Sequence, residues 1–225
     1  MNWQYDKPEE IEARSFEIIR SELGQELCSE LGSEFGPDAP HLDPLLNAVL
    51  IRVIHSTADF SYAQNLCASK DAAVLAVRAL REGASIVTDT RMAQAGIDKK
   101  RLGKFGGEAF CFIADDDVAA MAKKNGTTRA LASMDKAAGL GMPLIFAIGN
   151  APTALGRICD LSAQGILSPR LVIGAPVGFV NVVESKEMLM AGNLPYITVR
   201  GRKGGSNVAA AICNALLHLA GEGGL

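Results

Sequence analysis

From residue 69 onward, short apolar runs alternate with helical stretches, and this rhythm restricts the fold more than any other feature of the chain. The runs are ASIVTDT (84–90), AFCFIADD (109–116), PLIFAIGN (143–150), LVIGAP (171–176) and YITVRG (196–201). Segments with helical patterning precede or separate them at 70–83, roughly 117–138, 152–164, 182–191 and 206–220. Five β-type runs, each feeding a helix, predict a single doubly wound, mostly parallel five-stranded sheet covered on both faces, a three-layer α/β/α domain over 1–225. The order of strands is flavodoxin-like or Rossmann-like, and the pattern alone does not choose between them.

Two helices are expected before that rhythm. The segment 9-EEIEARSFEIIRSEL-23 has helical spacing, with Ile11, Phe16, Ile18, Ile19 and Leu23 on one face. A second segment, 45-LLNAVLIRVIH-55, is nearly all apolar and reads as a buried helix. Between them lies 32-GSEFGPDAPHLDP-44, whose three prolines and two glycines read as a connection.

Several function classes drop out on composition. A formal net charge of −3 leaves no overall basic footprint for nucleic acid. The polar N-terminus MNWQYDKPEE does not read as a signal peptide, and 208-VAAAICNALLHLA-220 is too short to span a bilayer. The five cysteines are scattered and form no CxxC pair, which suits buried thiols in the cytoplasm better than a disulfide frame or a zinc site. No GxxxxGK[ST] and no GxGxxG after a strand is found, so phosphate-binding fingerprints are missing.

A sheet of this kind binds ligands at the carboxyl ends of its strands. The loops that leave those ends are therefore the place to look. They are 88-TDTRMAQAG-96, 149-GNAPTAL-155, 174-GAPVGFVN-181 and 200-RGRKGGSNVAAA-211. They are rich in small residues, and each runs into a helix whose first N–H groups are unpaired. No Asp or Glu occurs between Glu187 and Glu222, and only Asp160 between Lys136 and Glu184, while Arg200, Arg202 and Lys203 cluster beside Gly204, Gly205 and Ser206. A polyanionic ligand is expected, carrying phosphates or carboxylates. The candidate contacts are Asp89, Thr90 and Met92 in the first loop, Asn150, Ala151 and Thr153 in the second, Gly178 in the third, and Arg200, Arg202, Lys203, Gly204, Gly205 and Ser206 in the last. Arg129, at a helix start in 125-NGTTRALASM-134, is a further candidate anion contact.

Three histidines occur, at 41, 55 and 218. His55 ends the apolar helix within 52-RVIHSTADF-60. A helix C-terminus favours a protonated imidazole by about 0.3–1 kcal/mol, and imidazole suits a group that both gives and takes a proton. The local sequence leaves two readings of His55 open, a packed structural side chain or a proton-transfer group. Asp59 is either its helper or a cap for the helix that follows. The histidines are too scattered to suggest a local metal site.

Taken together, 11-IEARSFEIIR-20, 52-RVIHSTADF-60, 86-IVTDTRMAQAGI-97, 148-IGNAPTAL-155, 174-GAPVGFVNVVESKE-187 and 200-RGRKGGSNVAAAICNAL-216 resemble the precorrin-8X methylmutase family from about residue 5 to about 220. RVIHSTADF and 104-KFGGE-108 lean toward its cobalt-precorrin-8 branch. The resemblance implies a flavodoxin-like fold, a homodimer, and an isomerase of cobalamin biosynthesis. That isomerase moves a methyl group from C-11 to C-12 of a tetrapyrrole polycarboxylate. It implies no cofactor and no protein-held metal, cobalt being part of the substrate. On the same basis the family's catalytic histidine falls on His55, its substrate-contacting serine on Ser15 and its arginine on Arg129. The chain departs from the family pattern at Gly156 and Arg157, where a bulkier apolar helix start is usual. A non-catalytic tetrapyrrole carrier is the alternative, and a nucleotide-binding α/β protein a third reading from the fold alone.

Overall fold

A computed structural model describes residues 7–34 and 43–221, with the side chains of 25–34 left out of account. His41 and most of the Pro-rich connection lie outside these residues. In chain order the elements are α1 (Pro8–Glu34), α2 (Pro44–Thr57), α3 (Tyr62–Asn65), β1 (Leu66–Ala68), α4 (Ala72–Arg81) and β2 (Ser85–Thr88). There follow α5 (Arg91–Gly96), α6 (Lys99–Lys104), β3 (Ala109–Phe110), α7 (Asp116–Asn125), α8 (Arg129–Ala138) and β4 (Leu144–Ile148). The chain ends with α9 (Pro152–Ala163), β5 (Leu171–Gly174), α10 (Val182–Ala191), β6 (Tyr196–Val199) and α11 (Ser206–Gly221).

The sheet has six strands rather than the five expected, in the order β1-β6-β5-β4-β2-β3. The five expected strands are all present and mutually parallel. Numbered among themselves they run 2-1-3-4-5, a common doubly wound order. The additional strand, β1, pairs antiparallel with β6, Leu66 opposite Val199. Three residues long, it is too short to show the alternation by which a strand is recognised in sequence. It covers an edge of β6 that would otherwise expose unpaired backbone groups.

The parallel strands are apolar throughout because both of their faces are covered. In β4, Leu144, Phe146 and Ile148 point into one core with Met134 of α8, Leu155 and Ile158 of α9 and Leu189 of α10. Ile145 and Ala147 point the other way, into a core with Leu50 and Ile54 of α2, Val77 and Leu80 of α4 and Ile212 and Leu216 of α11. A period of two thus sorts one strand between two helical layers.

The helical expectations hold with local corrections. The stretch 117–138 is two helices. Gly126 takes the left-handed conformation that closes α7, at φ +63°, and the Thr128 hydroxyl caps α8 by accepting from the Leu131 N–H. On α1, Ile19 and Leu23 are buried and Phe16 packs partly against them, but Ile11 and Ile18 are 48% and 42% exposed. The buried stripe of α1 is narrower than its apolar residues suggest, since its main packing partner is a single helix, α2. On α2, Asp43 caps the first turn through the Leu45 N–H and Pro44 stands at the first helical position. The helix closes at Ala58, left-handed at φ +51°, just after His55. No helix among the described residues is long and apolar enough to cross a membrane.

Phe146 has no exposed surface and stands mid-strand in the central β4. Phe146→Ala is expected to lower unfolding free energy by about 3–5 kcal/mol, from lost transfer and an unfilled cavity. Urea denaturation followed by circular dichroism measures it, and a loss under about 1 kcal/mol contradicts this packing.

Candidate active site

The order of the sheet reverses between β2 and β4, and the loops leaving those two strands are joined by one side chain. Asp89 directly follows β2 and is 1% exposed. Its carboxylate accepts from the N–H groups of Gly149 at 3.0 Å, Asn150 at 2.8 Å and Ala151 at 2.7 Å. Burial pushes this carboxyl above the usual range, against the pull of the N–H donors. Asp89, expected among the substrate contacts, thus has its carboxylate turned inward, where it sets the course of the β4–α9 loop. Gly149 is required at this crossing, because a Cβ there would lie 2.6 Å from the Ser206 Cα.

Thr90 joins the first loop to the last. Its hydroxyl caps α5 through the Ala93 N–H and lies 2.7 Å from the Ser206 hydroxyl. Thr153, in the first turn of α9, lies hydroxyl to hydroxyl with Thr128 at 3.0 Å, so Arg129, the next residue, is brought to the start of α9. Asn150, Thr153 and Arg129 are exposed there, and Met92 is 69% exposed on α5. Arg157 is taken up by Asp135 of α8 at 2.7 Å, so its departure from the family pattern is an inter-helix ion pair. Gly156 leaves open space around its missing side chain.

The β5–α10 and β6–α11 loops are laced to each other. Gly205 donates its N–H to the Ala175 carbonyl at 2.9 Å, and Gly178 donates to the Arg202 carbonyl at 3.2 Å. Gly204, at φ +156°, lies so close to the Ala175 carbonyl that any Cβ would collide. Arg202 places its guanidinium 5.4 Å from the centre of the Phe179 ring. Phe179 and its neighbour Val180 are 82% and 75% exposed, forming an apolar tip beside a basic cluster. Arg200 is also exposed, its N–H held by the Asn65 carbonyl at 2.8 Å.

Lys186 of α10 was not among the expected site residues. It is 1% exposed, and its Nζ donates to the carbonyls of Gly201 at 2.8 Å and Lys203 at 2.7 Å. Burial lowers its ammonium to about 8. A signal existed in the sequence. Lys186 follows Val182 by four residues, and Leu189 follows Val182 by seven, which places the lysine on the buried stripe of the helix.

His55 stands in the last turn of α2, on the sheet edge that carries these loops. The contacts of the α2 exit fix that location. Lys203 donates to the Asp59 carboxylate at 2.6 Å and to the Ser61 hydroxyl at 2.7 Å. Asp59 also accepts from the Ser61 N–H at 3.0 Å, and the Lys203 ammonium holds its carboxyl below the usual range. Asp59 is therefore neither a helix cap nor an orienting partner of the imidazole. It joins the end of α2 to the basic loop. Lys203, expected to meet the ligand, has its ammonium engaged by these two groups.

The imidazole is exposed, and makes no hydrogen bond to another described residue. What holds it is a ring. Phe16 of α1 meets His55 edge-on at 5.2 Å, and Arg52 lies 5.2 Å from the Phe16 centroid. Arg52 also pairs with Glu12 of α1 at 3.0 Å. Ser15, next to Phe16 and half-buried, turns its hydroxyl to the Ile11 carbonyl at 2.8 Å. The resemblance thus brings Ser15 and His55 to one helix pair, while Arg129 stands on the opposite helical layer.

An imidazole, the exposed arginines Arg129, Arg200 and Arg202 and glycine-rich loops share one sheet edge, where the Asp89 carboxylate is buried and that of Asp59 is paired. This defines a doubly wound α/β protein suited to an anionic ligand that exchanges a proton. A family model described as CbiC: Precorrin-8X methylmutase matches residues 10–219. The chain is 43% identical to a cobalt-precorrin-8 methylmutase of Priestia megaterium, covering 96% of this chain and 90% of that one. It is 44% identical to a cobalt-precorrin-8 methylmutase of Salmonella typhimurium, covering 94% and 95%. The fold superposes on a crystal structure of precorrin-8X methylmutase from Thermus thermophilus with a TM-score of 0.82, at 37% identity, over 96% of this chain and 99% of that one. The chain belongs to the precorrin-8X methylmutase family.

The Asp59–Lys203 pair is partly exposed, with side chains 33% and 51% accessible. A double-mutant cycle with Asp59→Asn and Lys203→Met is expected to give a coupling of about 0.2–1 kcal/mol at neutral pH. Because the folded-state value of Asp59 is lowered, the coupling is present above the usual carboxylate value of 3.8 and fades as pH falls through the lowered one. Thermal melts of the four proteins from pH 7 to pH 3 measure it, and a coupling that persists unchanged at pH 3 contradicts the assignment.

Proposed function

We propose that this protein is an isomerase of cobalamin biosynthesis that moves a methyl group from C-11 to C-12 of cobalt-precorrin-8 or precorrin-8X, giving cobyrinate or hydrogenobyrinate. The observation that carries this reading is the placement of His55, solvent-facing at the end of α2, whose exit is tied by the Asp59–Lys203 pair to the basic, glycine-rich loop after β6. The names borne by the relatives from Priestia megaterium and Salmonella typhimurium support the cobalt branch.

The substrate is a macrocycle with several acetate and propionate arms. Arg129, Arg200, Arg202 and the backbone donors of the strand-end loops receive those arms and hold the ring in one orientation. His55 donates a proton near ring C, which selects the tautomer from which the methyl migrates, and recovers it afterwards. The migration stays within one molecule, so the protein supplies no methyl donor. Fixing the ring's shape and moving one proton make up its contribution. Cobalt enters and leaves with the substrate, and the protein brings no cofactor of its own.

His55→Ala is expected to lower the turnover rate by about 10²-fold or more while leaving the affinity for cobyrinate within about threefold. The absorbance change from substrate to product, with metal-free and cobalt-containing substrates in parallel, reads both rate and branch. Undiminished turnover by His55→Ala removes the catalytic role. Tight binding by the wild-type protein without conversion would identify a carrier instead.

A homodimer working in the cytoplasm belongs to the same proposal, supported by the family resemblance. Sedimentation velocity is expected to give the mass of two chains at micromolar concentration, and a single-chain mass there contradicts it.

A further inference from the structure

A fully buried ammonium is costly to a fold unless its donors are satisfied. No carboxylate lies within ion-pair distance of Lys186 among the described residues. Its partners are two carbonyls, those of Gly201 and Lys203. Those carbonyls belong to the peptides whose N–H groups come from Arg202 and Gly204. No cis peptide occurs among the described residues, and in a trans peptide the carbonyl and the N–H point in opposite directions. Drawing both carbonyls toward Lys186 therefore turns the Arg202 and Gly204 N–H groups away from it, on a loop whose residues Gly201, Arg202 and Lys203 are exposed. Neither N–H donates to an acceptor among the described residues, although the neighbouring Gly205 N–H and the Gly178 N–H across the loop are both used. The charge on Lys186 also polarises both peptides, which strengthens the outward N–H groups as donors.

We propose that Lys186 is a positioning residue for carboxylate recognition, holding the Gly201 and Lys203 carbonyls so that the Arg202 and Gly204 N–H groups form a donor pair for one carboxylate arm of the tetrapyrrole. The proposal rests on the methylmutase reading for the identity of the ligand. It adds backbone groups to the Arg200 and Arg202 side chains as contacts at this loop, set in place by a side chain that does not touch the ligand. It also accounts for Lys203, whose own ammonium is engaged with Asp59 and Ser61.

The test uses the full chain, labelled with nitrogen-15, and cobyrinate as the probe, with its fully esterified form as the uncharged control. Titration of the wild-type protein is expected to shift the Arg202 and Gly204 amide resonances in parallel with the binding curve read by absorbance, and the ester is expected to leave them in place. Lys186→Met is expected to weaken cobyrinate binding by about tenfold or more, the equivalent of a charge-assisted hydrogen bond. Its single-turnover rate at saturating substrate is expected to stay within about threefold of wild type, a loss of binding without a loss of chemistry. Unchanged affinity in a folded Lys186→Met protein overturns the proposal. Should that variant fail to fold, the wild-type titration decides alone, and unshifted Arg202 and Gly204 amides at saturation overturn it. A wild-type protein that shows the shifts but does not isomerise its substrate refutes the methylmutase reading and leaves the role of Lys186 standing.

Discussion

One carboxylate gathers the N–H groups of three consecutive residues at the point where the sheet reverses its strand order. Asp89 connects the end of β2 to the start of the β4–α9 loop with three short hydrogen bonds, and it does so in a dry environment. In such surroundings each bond is stronger than in water, and an unmade one costs more. The crevice depends on this arrangement. It sets where Asn150 and Thr153 stand, and through Thr153 and Thr128 where α8 begins and Arg129 projects. Thr90, the next residue, carries the connection to Ser206 and so to the loop after β6.

The same economy recurs on the other side of the crevice. Polar side chains that the sequence offers as ligand contacts are largely engaged in holding loops. Asp89 holds the β4–α9 loop, Lys203 holds the exit of α2, and Lys186 holds the β6–α11 loop from behind. Those left facing outward are Arg129, Arg200, Arg202, Asn150 and the imidazole of His55, beside the backbone N–H groups of the loops. A rigid rim of this kind suits a large, flat polyanion, because the donors are fixed before it arrives and little ordering remains to be done on binding.

Most of the architecture was legible because a doubly wound sheet writes itself as a rhythm. Strands buried on both faces must be continuously apolar, and the helices between them must be amphipathic, so the five parallel strands announce themselves. β1 escaped because three residues at an edge carry no period, and its partner, β6, is far away in sequence. The break at Gly126 was readable from its own local chemistry, a glycine followed by a capping threonine, but was hidden inside a longer helical pattern. The site was legible only as a location. An acid-poor, glycine-rich edge points to an anion, yet whether a given polar side chain faces the ligand or the protein depends on contacts between loops dozens of residues apart. Asp89, Asp59 and Lys203 all turned on such contacts. His55 is the opposite case, since its local sequence was ambiguous and its exposure on the active edge carries the argument.

The antiparallel pairing of β1 with β6 has a consequence for the order in which the protein can be made. The first quarter of the chain supplies α1, α2 and His55, yet α2 packs on α11 and β1 pairs with β6, both from the last thirty or so residues. On a ribosome these N-terminal helices emerge long before α11, with an apolar surface on α2 that α1 covers in part. Leu50, Val53 and Ile54 share their core with Ile212 and Leu216, so part of their lasting neighbourhood arrives when α11 has left the exit tunnel. The edge that carries His55 is thus completed by a segment made after every strand of the sheet, and a chain truncated before α11 would leave α2 without one of its main packing partners.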